Sequence, residues 1–246
     1  MQSLLDAHGT IYEIPTGWHE VTGRQFCELD RLKLATVEQR ASYFAGRPIQ
    51  VNGYVADTLA FLIPAVDGSY RLPTTGGYPY PADLGSESYL QVESIRTALS
   101  MKPLHECYGE VYGIFVARLR NYVTGEYEPS RIPALIEEAN CLPVSQTFPA
   151  IAHLYSEMAR LAKAPYDKLQ EPDTTEAGQR AMAAGAEELS KFGHFNVAYA
   201  YNVKLSVSLN TLYQMPWSTI ATMMVTDRIN AEIQDRMNRN SQPNHE

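Results

Sequence analysis

Apolar residues recur at helical spacing along most of the chain. Leu104, Tyr108, Val111, Phe115 and Leu119 step by four, three, four and four, which predicts an amphipathic helix over 104–121. Gly109 and Gly113 lie four apart on it and would admit a second helix at close range. Val144, Phe148, Ile151, Tyr155, Met158 and Ala162 step by four, three, four, three and four, the best-patterned stripe in the chain, and predict a helix that buries all six. Near the N-terminus, Thr10–Ile14 alternates and is stopped by Pro15, the pattern of a short strand or extended arm. Thr22 then offers an N-cap to a helix carrying Phe26, Leu29 and Leu32 or Leu34 on one side. Further helices are expected from Val37 to Ala45, stopped by Gly46, and from Val51 to Ile63, packed by Val55, Leu59 and Leu62.

Between 64 and 87 the pattern breaks. Pro64, Gly68, Pro73, Gly76, Gly77, Pro79, Pro81 and Gly85 forbid long helices, so a Pro/Gly/Tyr-rich surface loop is expected, with room for a hairpin around Tyr70 and Tyr80. Helix resumes over 88–101, and a polar helix over 129–141 ends at Pro143. A second polar, proline-containing stretch at 164–176 reads as a linker or excursion. It divides the chain into an N-terminal arm plus helical core (1–163) and a C-terminal helical segment (177–246). In the latter, Ala- and Glu-rich residues 176–192 predict one helix closed by Gly193. A second should run from Asn196 to Met215. Pro216 opens a third, where Trp217, Ala221, Val225, Ile229, Ile233 and Met237 recur every four residues. Such a row drifts by about 40° per step and winds round the helix. The expected class is therefore mainly α: an irregular multi-helix domain with a short N-terminal extended or β arm and a C-terminal helical subdomain.

Composition narrows the function. The 246 residues are 45% hydrophobic and 20% charged, ordinary for a globular chain. A net charge of −8 without a polybasic cluster speaks against nucleic acid or an anionic membrane as partner. The 16 tyrosines suit semi-buried surfaces and subunit contacts as well as cores, which leaves a homo-oligomer open. Cys27, Cys107 and Cys141 are odd in number and far apart, so reduced thiols in a cytosol are expected. The start of the chain lacks a basic n-region and a long apolar h-region, and no apolar run is long enough for a membrane span.

Each catalytic template lacks a part. His105-Glu106 begins a zinc-binding helix motif, but Gly109 stands where the second histidine belongs. His105 with Cys107 is no ligand set, and a nucleophilic pairing of Cys107 with His153 has nothing in the sequence to support it. No glycine-rich phosphate loop and no nucleophile elbow is present. His194, at a helix junction, reads as a turn histidine. No cofactor, no metal and no enzymatic activity are expected.

Three stretches together carry a resemblance. The first, Ile14-Pro15-Thr16-Gly17-Trp18-His19-Glu20-Val21-Thr22 with Gln25-Phe26 and Leu29, follows the pattern I-P-x-x-W-x-x-V-T-x-x-Q-[FY]-x-x-L. The second is the helix pair 105–119 and 142–161. The third is Phe192-Gly193, Phe195-Asn196 and Met215-Pro216-Trp217 with the polar helix after it. Together they resemble tail assembly chaperone-like and tail accessory proteins of tailed bacteriophages. The resemblance implies a non-enzymatic factor in the host cytoplasm that binds the long helical tape-measure protein and keeps it soluble until the tail tube polymerises. The loop at 64–87 and Ala198-Tyr199-Ala200-Tyr201 depart from the family pattern. A structural component of the mature tail or baseplate, resident in the virion, would carry similar features. A helical enzyme or ligand-binding protein with a site assembled from distant residues is the reading from another class. On the first reading Trp18, Phe192, Phe195, Trp217, Ile229, Ile233 and Met237 are the candidate interaction residues. Phe192, Phe195 and Trp217 could instead close a small helical core, leaving 229–237 as the exposed row.

Overall fold

The computed structural model describes residues 2–5, 11–34, 36–49, 51, 53–62, 83–118, 125–163 and 165–241. The protein is mainly α, as its periodicity predicts. Its chain contacts divide it into two compact units: Met1–Tyr80 with Ile95–Leu154, and Pro81–Ser94 with Tyr155–Glu246.

The first unit opens with an antiparallel pair, β1 (Gln2–Leu5) and β2 (Ile11–Ile14), in which Gln2 faces Ile14 and Leu5 faces Ile11. Pro15 ends the ladder by removing a donor. Trp18, in a 3₁₀ turn, is buried with its ring edge-on to Phe26 and Phe61, at centroid distances of 5.8 and 5.1 Å. Helix α1 (Gly23–Arg31) starts at Thr22 with a full capping box: Thr22 Oγ1 accepts from Gln25 N, and Gln25 Oε1 accepts from Thr22 N. Phe26 and Leu29 are buried, but Leu32 falls in the turn beyond the helix and is exposed. Helix α2 (Val37–Ala45) repeats the device with Thr36 and Gln39, and Gly46 closes it at φ 69°, a conformation glycine adopts without strain. Helix α3 (Gly53–Leu59) tightens into a 3₁₀ turn at Ala60–Leu62; residues 52 and 63 of the expected 51–63 span lie outside the described residues. Leu59 and Leu62 are buried as predicted. Arg40 is buried too, and its guanidinium donates to the carbonyls of Leu34 and Leu62.

Two closely packed helices centre this unit: α5 (Leu104–Ala117) and α6 (Ile132–Cys141). Every residue of α5 from Cys107 to Ala117 except Glu110 is buried, so it is a core helix and not merely amphipathic. One of its two glycines is needed for the close approach. The tight point is Gly109, where a Cβ would lie 3.1 Å from Ile136; one on Gly113 would meet the Ile132 carbonyl at 3.4 Å, an ordinary contact. Leu119 and the expected helical turn at 119–121 lie outside the described residues, as do Val55's side chain and most of the 64–87 loop.

Helix α7 (Val144–Leu161) corrects the predicted stripe. Val144 and Ile151 are fully buried, but Tyr155 and Ala162 are exposed and Phe148 and Met158 only half-buried. The buried face is Val144, Thr147, Ile151, Leu154 and Leu161, with Glu157 between. Two polar residues escaped the apolar pattern because each has a buried partner. Thr147 Oγ1 lies 2.6 Å from the Tyr108 hydroxyl, and Glu157 accepts from Leu84 N at 2.9 Å.

Both units use one device to start helices in pairs. In the first, Gly23 N donates to Leu142 O at 3.0 Å and Val144 N to Val21 O at 2.8 Å, across a bridge between Thr22 and Pro143. In the second, Tyr89 N donates to Met215 O and Trp217 N to Glu87 O, both at 2.8 Å, across a bridge between Ser88 and Pro216. Each of the four donors is the first helical residue of its helix, α1, α7, α4 (Tyr89–Met101) and α11 (Trp217–Ser241). First-turn amides have no intrahelical acceptor; here each helix start satisfies the other. Pro143 and Pro216 fit because the residue before a helix needs no amide of its own.

The rest of the second unit is more broken than its sequence predicts. Residues 176–192 form α8 (Glu176–Ala183) and a 3₁₀ segment, Ala186–Phe192, separated by Gly185 at φ 92°. The expected helix at 196–215 is α9 (His194–Leu205) and α10 (Leu209–Gln214), parted by Ser206 at φ 55° and restarted by Ser208, whose hydroxyl caps Thr211 N. A single glycine and a serine–valine–serine run thus outweigh the helical propensity of their neighbours. The 164–176 stretch, where described, holds a 3₁₀ turn at Tyr166–Leu169, with Tyr166 edge-on to Trp217 at 5.0 Å.

Candidate interaction surface

Helix α11 carries the clearest feature of the second unit. Along its four-step row, Trp217, Ala221 and Val225 are 3, 2 and 9% exposed, whereas Ile229, Ile233 and Met237 are 42, 47 and 56% exposed. The drift of about 40° per step accounts for this: the row begins on the packed face and reaches the solvent face three steps on, at Ile229. The packed face itself continues as half-buried Arg228, Glu232 and Asp235, spaced four and three, and so turns from apolar to charged. Arg228 donates to the carbonyls of Glu171 and Pro172 at 2.7 and 2.5 Å. Glu232 meets Lys168 at 3.1 Å and Arg228 at 3.4 Å. Asp235 accepts from Glu176 N at 3.1 Å and pairs with Arg239 at 2.6 Å. The outer half of α11 is therefore packed on one side through polar groups and apolar towards solvent on the other.

Helix α9 shows the same inversion. Its inner side holds buried Ala198 and Tyr201. The Tyr201 hydroxyl donates to Asp227 of α11 at 2.5 Å, and Lys204 donates to the same carboxylate. These two donors hold the Asp227 carboxyl below the usual aspartate range, the lysine foremost. The opposite side carries Phe195, Tyr199 and Val203, all exposed, with Phe195 and Tyr199 stacked at 6.4 Å. Phe192 precedes them at 61% exposure. Of the twelve exposed large hydrophobic residues among those described, nine lie between Met182 and Met237, so apolar exposure is concentrated in one stretch of this unit.

The seven expected interaction residues therefore separate. Trp18 and Trp217 are buried; Trp217 Nε1 donates to Glu93 at 2.7 Å, which anchors α11 and leaves no indole face for a partner. Phe192 and Phe195 do not close a core; they are exposed, as are Ile229, Ile233 and Met237. Tyr199 and Val203 were missed, although they stand four and eight residues after Phe195. Tyr199 and Tyr201 stand two apart, and helical geometry sends residues two apart to opposite sides.

In the first unit, His105 Nδ1 sits 2.7 Å from Asp30 Oδ2 beside a cleft of about 360 Å³ lined in part by Cys27, Glu28, Tyr108 and Asn140. Burial, with Asp30 and Cys107 nearby, pushes the Cys27 thiol up to about 12, and burial also raises Cys107. Cys107 Sγ points to the carbonyls of Lys102 and Pro103, and His153 packs against Phe115 at 6.0 Å. His194 lies at the first turn of α9, its ring 6.3 Å from Tyr213. Among the described residues, no group of three or more His, Cys, Asp or Glu is arranged to hold a metal ion, and no helix is long and apolar enough to cross a membrane.

What the fold and surface define is a mainly α protein whose second unit displays two apolar helical rows. No protein-family model, curated protein or solved structure matches the chain.

Proposed function

We propose that this protein is a non-enzymatic assembly factor of tailed-phage tail morphogenesis, which holds an amphipathic helix of a tape-measure-type protein against its second unit. The observation that carries the reading is the concentration of exposed apolar side chains on α9 and α11, with both helices packed through the opposite, polar-tied side. Residues four apart form the ridge that one helix inserts into the groove of another. Ile229–Ile233–Met237 and Phe195–Tyr199–Val203 are two such ridges, each about 12 Å long. An apolar helical segment that would otherwise aggregate is the ligand such ridges fit. The family resemblance supplies the identity of that segment as tape measure.

The test is co-expression with a tape-measure fragment. The intact protein is expected to keep the fragment soluble and to co-purify with it. Replacing Ile229, Ile233 and Met237 by Asn is expected to weaken binding by about tenfold or more, since a few apolar anchors dominate such interfaces. Helical content should be unchanged, because these side chains already face solvent. Failure to solubilise or bind any tape-measure segment would overturn the proposal. Recovery of the chain at fixed stoichiometry in purified particles would replace it with a structural role in the mature tail or baseplate.

A further inference from the structure

The charged face of α11 raises a question of its own. Residues Lys168–Gln179 lie along the outer half of that helix and enclose with it a polar cleft of about 950 Å³, lined by Lys168, Glu171, Thr175, Glu176, Glu232 and Asp235 among others. Polar ties join the segment to the helix. Lys168 and Arg228 converge on Glu232, Arg228 grips two carbonyls, and Asp235 caps the first amide of α8. Arg236 and Arg239 complete the charge pairing from α11 itself. The segment is also locally pre-shaped: Asp173 accepts from Thr175 N and Oγ1, and Gly178 leaves room for its carboxylate, where a Cβ would come within 2.3 Å. The inner half of α11, by contrast, is fixed by the buried Trp217, Ile220, Ala221 and Val225. One helix therefore has an apolar anchor and a polar outer half.

We propose that residues 168–179 and the outer half of α11, Arg228–Ser241, form a polar clasp that opens as a unit while the Trp217-anchored half stays packed. Charge pairs weaken when screened or when one partner is neutralised, whereas apolar burial does not. The two halves of α11 therefore respond to different conditions. Opening frees Ile229, Ile233 and Met237 to be engaged from both sides, so the clasp sets how that row is presented. This last consequence rests on the proposed function; the clasp itself does not.

Hydrogen exchange of the intact chain, read peptide by peptide, tests it. In Glu232→Gln and Asp235→Asn, amides of 168–179 and 228–241 should exchange about tenfold faster, with those of 217–225 unchanged. Asp227→Asn, which breaks a tie to α9 on another side of the helix, should leave the clasp peptides as they were. The unmodified protein at about 1 M salt should show the same regional acceleration, which keeps the test valid if a variant fails to fold. Equal protection along all of α11, or acceleration that includes 217–225, would overturn the clasp. A clasp that opens as expected while tape-measure binding is absent would leave it standing and remove the docking reading instead.

Discussion

Gly23 and Gly113 look alike in sequence and have opposite roles. A Cβ on Gly23 would come within 2.3 Å of the Ala139 carbonyl, part of fixed helix backbone, whereas one on Gly113 would meet its nearest neighbours at 3.4 Å, ordinary contact. Gly23→Ala should therefore destabilise the first unit by about 1–3 kcal/mol through overpacking. Gly113→Ala should be neutral or stabilise by up to about 1 kcal/mol, because alanine is the better helix former. Denaturant unfolding of the two variants decides this, and equal effects would refute the packing argument. The same scale explains the cysteines. Burial makes half-buried Cys27 and buried Cys107 harder to ionise.

Among the elements, α11 shows how one helix can carry two different faces in succession. Its inner seam runs Trp217, Ala221, Val225, then Arg228, Glu232 and Asp235. The apolar row leaves that seam only because its period is four and the helix turns every 3.6 residues. The tie from α9 to α11 through Asp227 has a pH signature. Its carboxyl sits below its unfolded value because Lys204 and Tyr201 stabilise the anion. As pH falls, the unfolded chain takes up the proton first, so the contribution is complete above the unfolded value and lost as pH drops through the folded one. Glu232, lowered chiefly by Lys168, has the same sign. Stability followed from about pH 5 to about pH 3 should fall less steeply in Asp227→Asn than in the unmodified protein. Parallel curves would show that the tie contributes nothing.

For the whole molecule, the relevant quantity is where apolar surface is left uncovered. Replacing Phe195, Tyr199 and Val203 by Ser should raise solubility and leave helical content intact, as these side chains already face water. Trp217→Ala should instead cost about 3–5 kcal/mol, since the buried indole anchors α11 and donates to Glu93. Circular dichroism with thermal unfolding separates the two outcomes, and loss of fold in the triple variant would mean that the α9 row is structural.

Local signals were sufficient for much of this. Thr22 with Gln25, Thr36 with Gln39, and Gly46 each mark a helix end through groups within four residues, so sequence alone determined those boundaries, the helical class and the winding of the α11 row. It did not determine which face of α7 is buried, because Thr147 and Glu157 are inward only by virtue of Tyr108 and Leu84, distant in the chain. Nor did it reveal the paired helix starts: the Thr22–Pro143 and Ser88–Pro216 bridges join residues more than a hundred apart, with no fixed repeat to announce them. The candidate surface was legible at Ile229, Ile233 and Met237, where geometry within one helix decides exposure. At Trp18, Trp217, Tyr199 and Val203 it was not. An apolar side chain has the same composition whether it is covered or bare, and only the tertiary structure decides whether another element covers it.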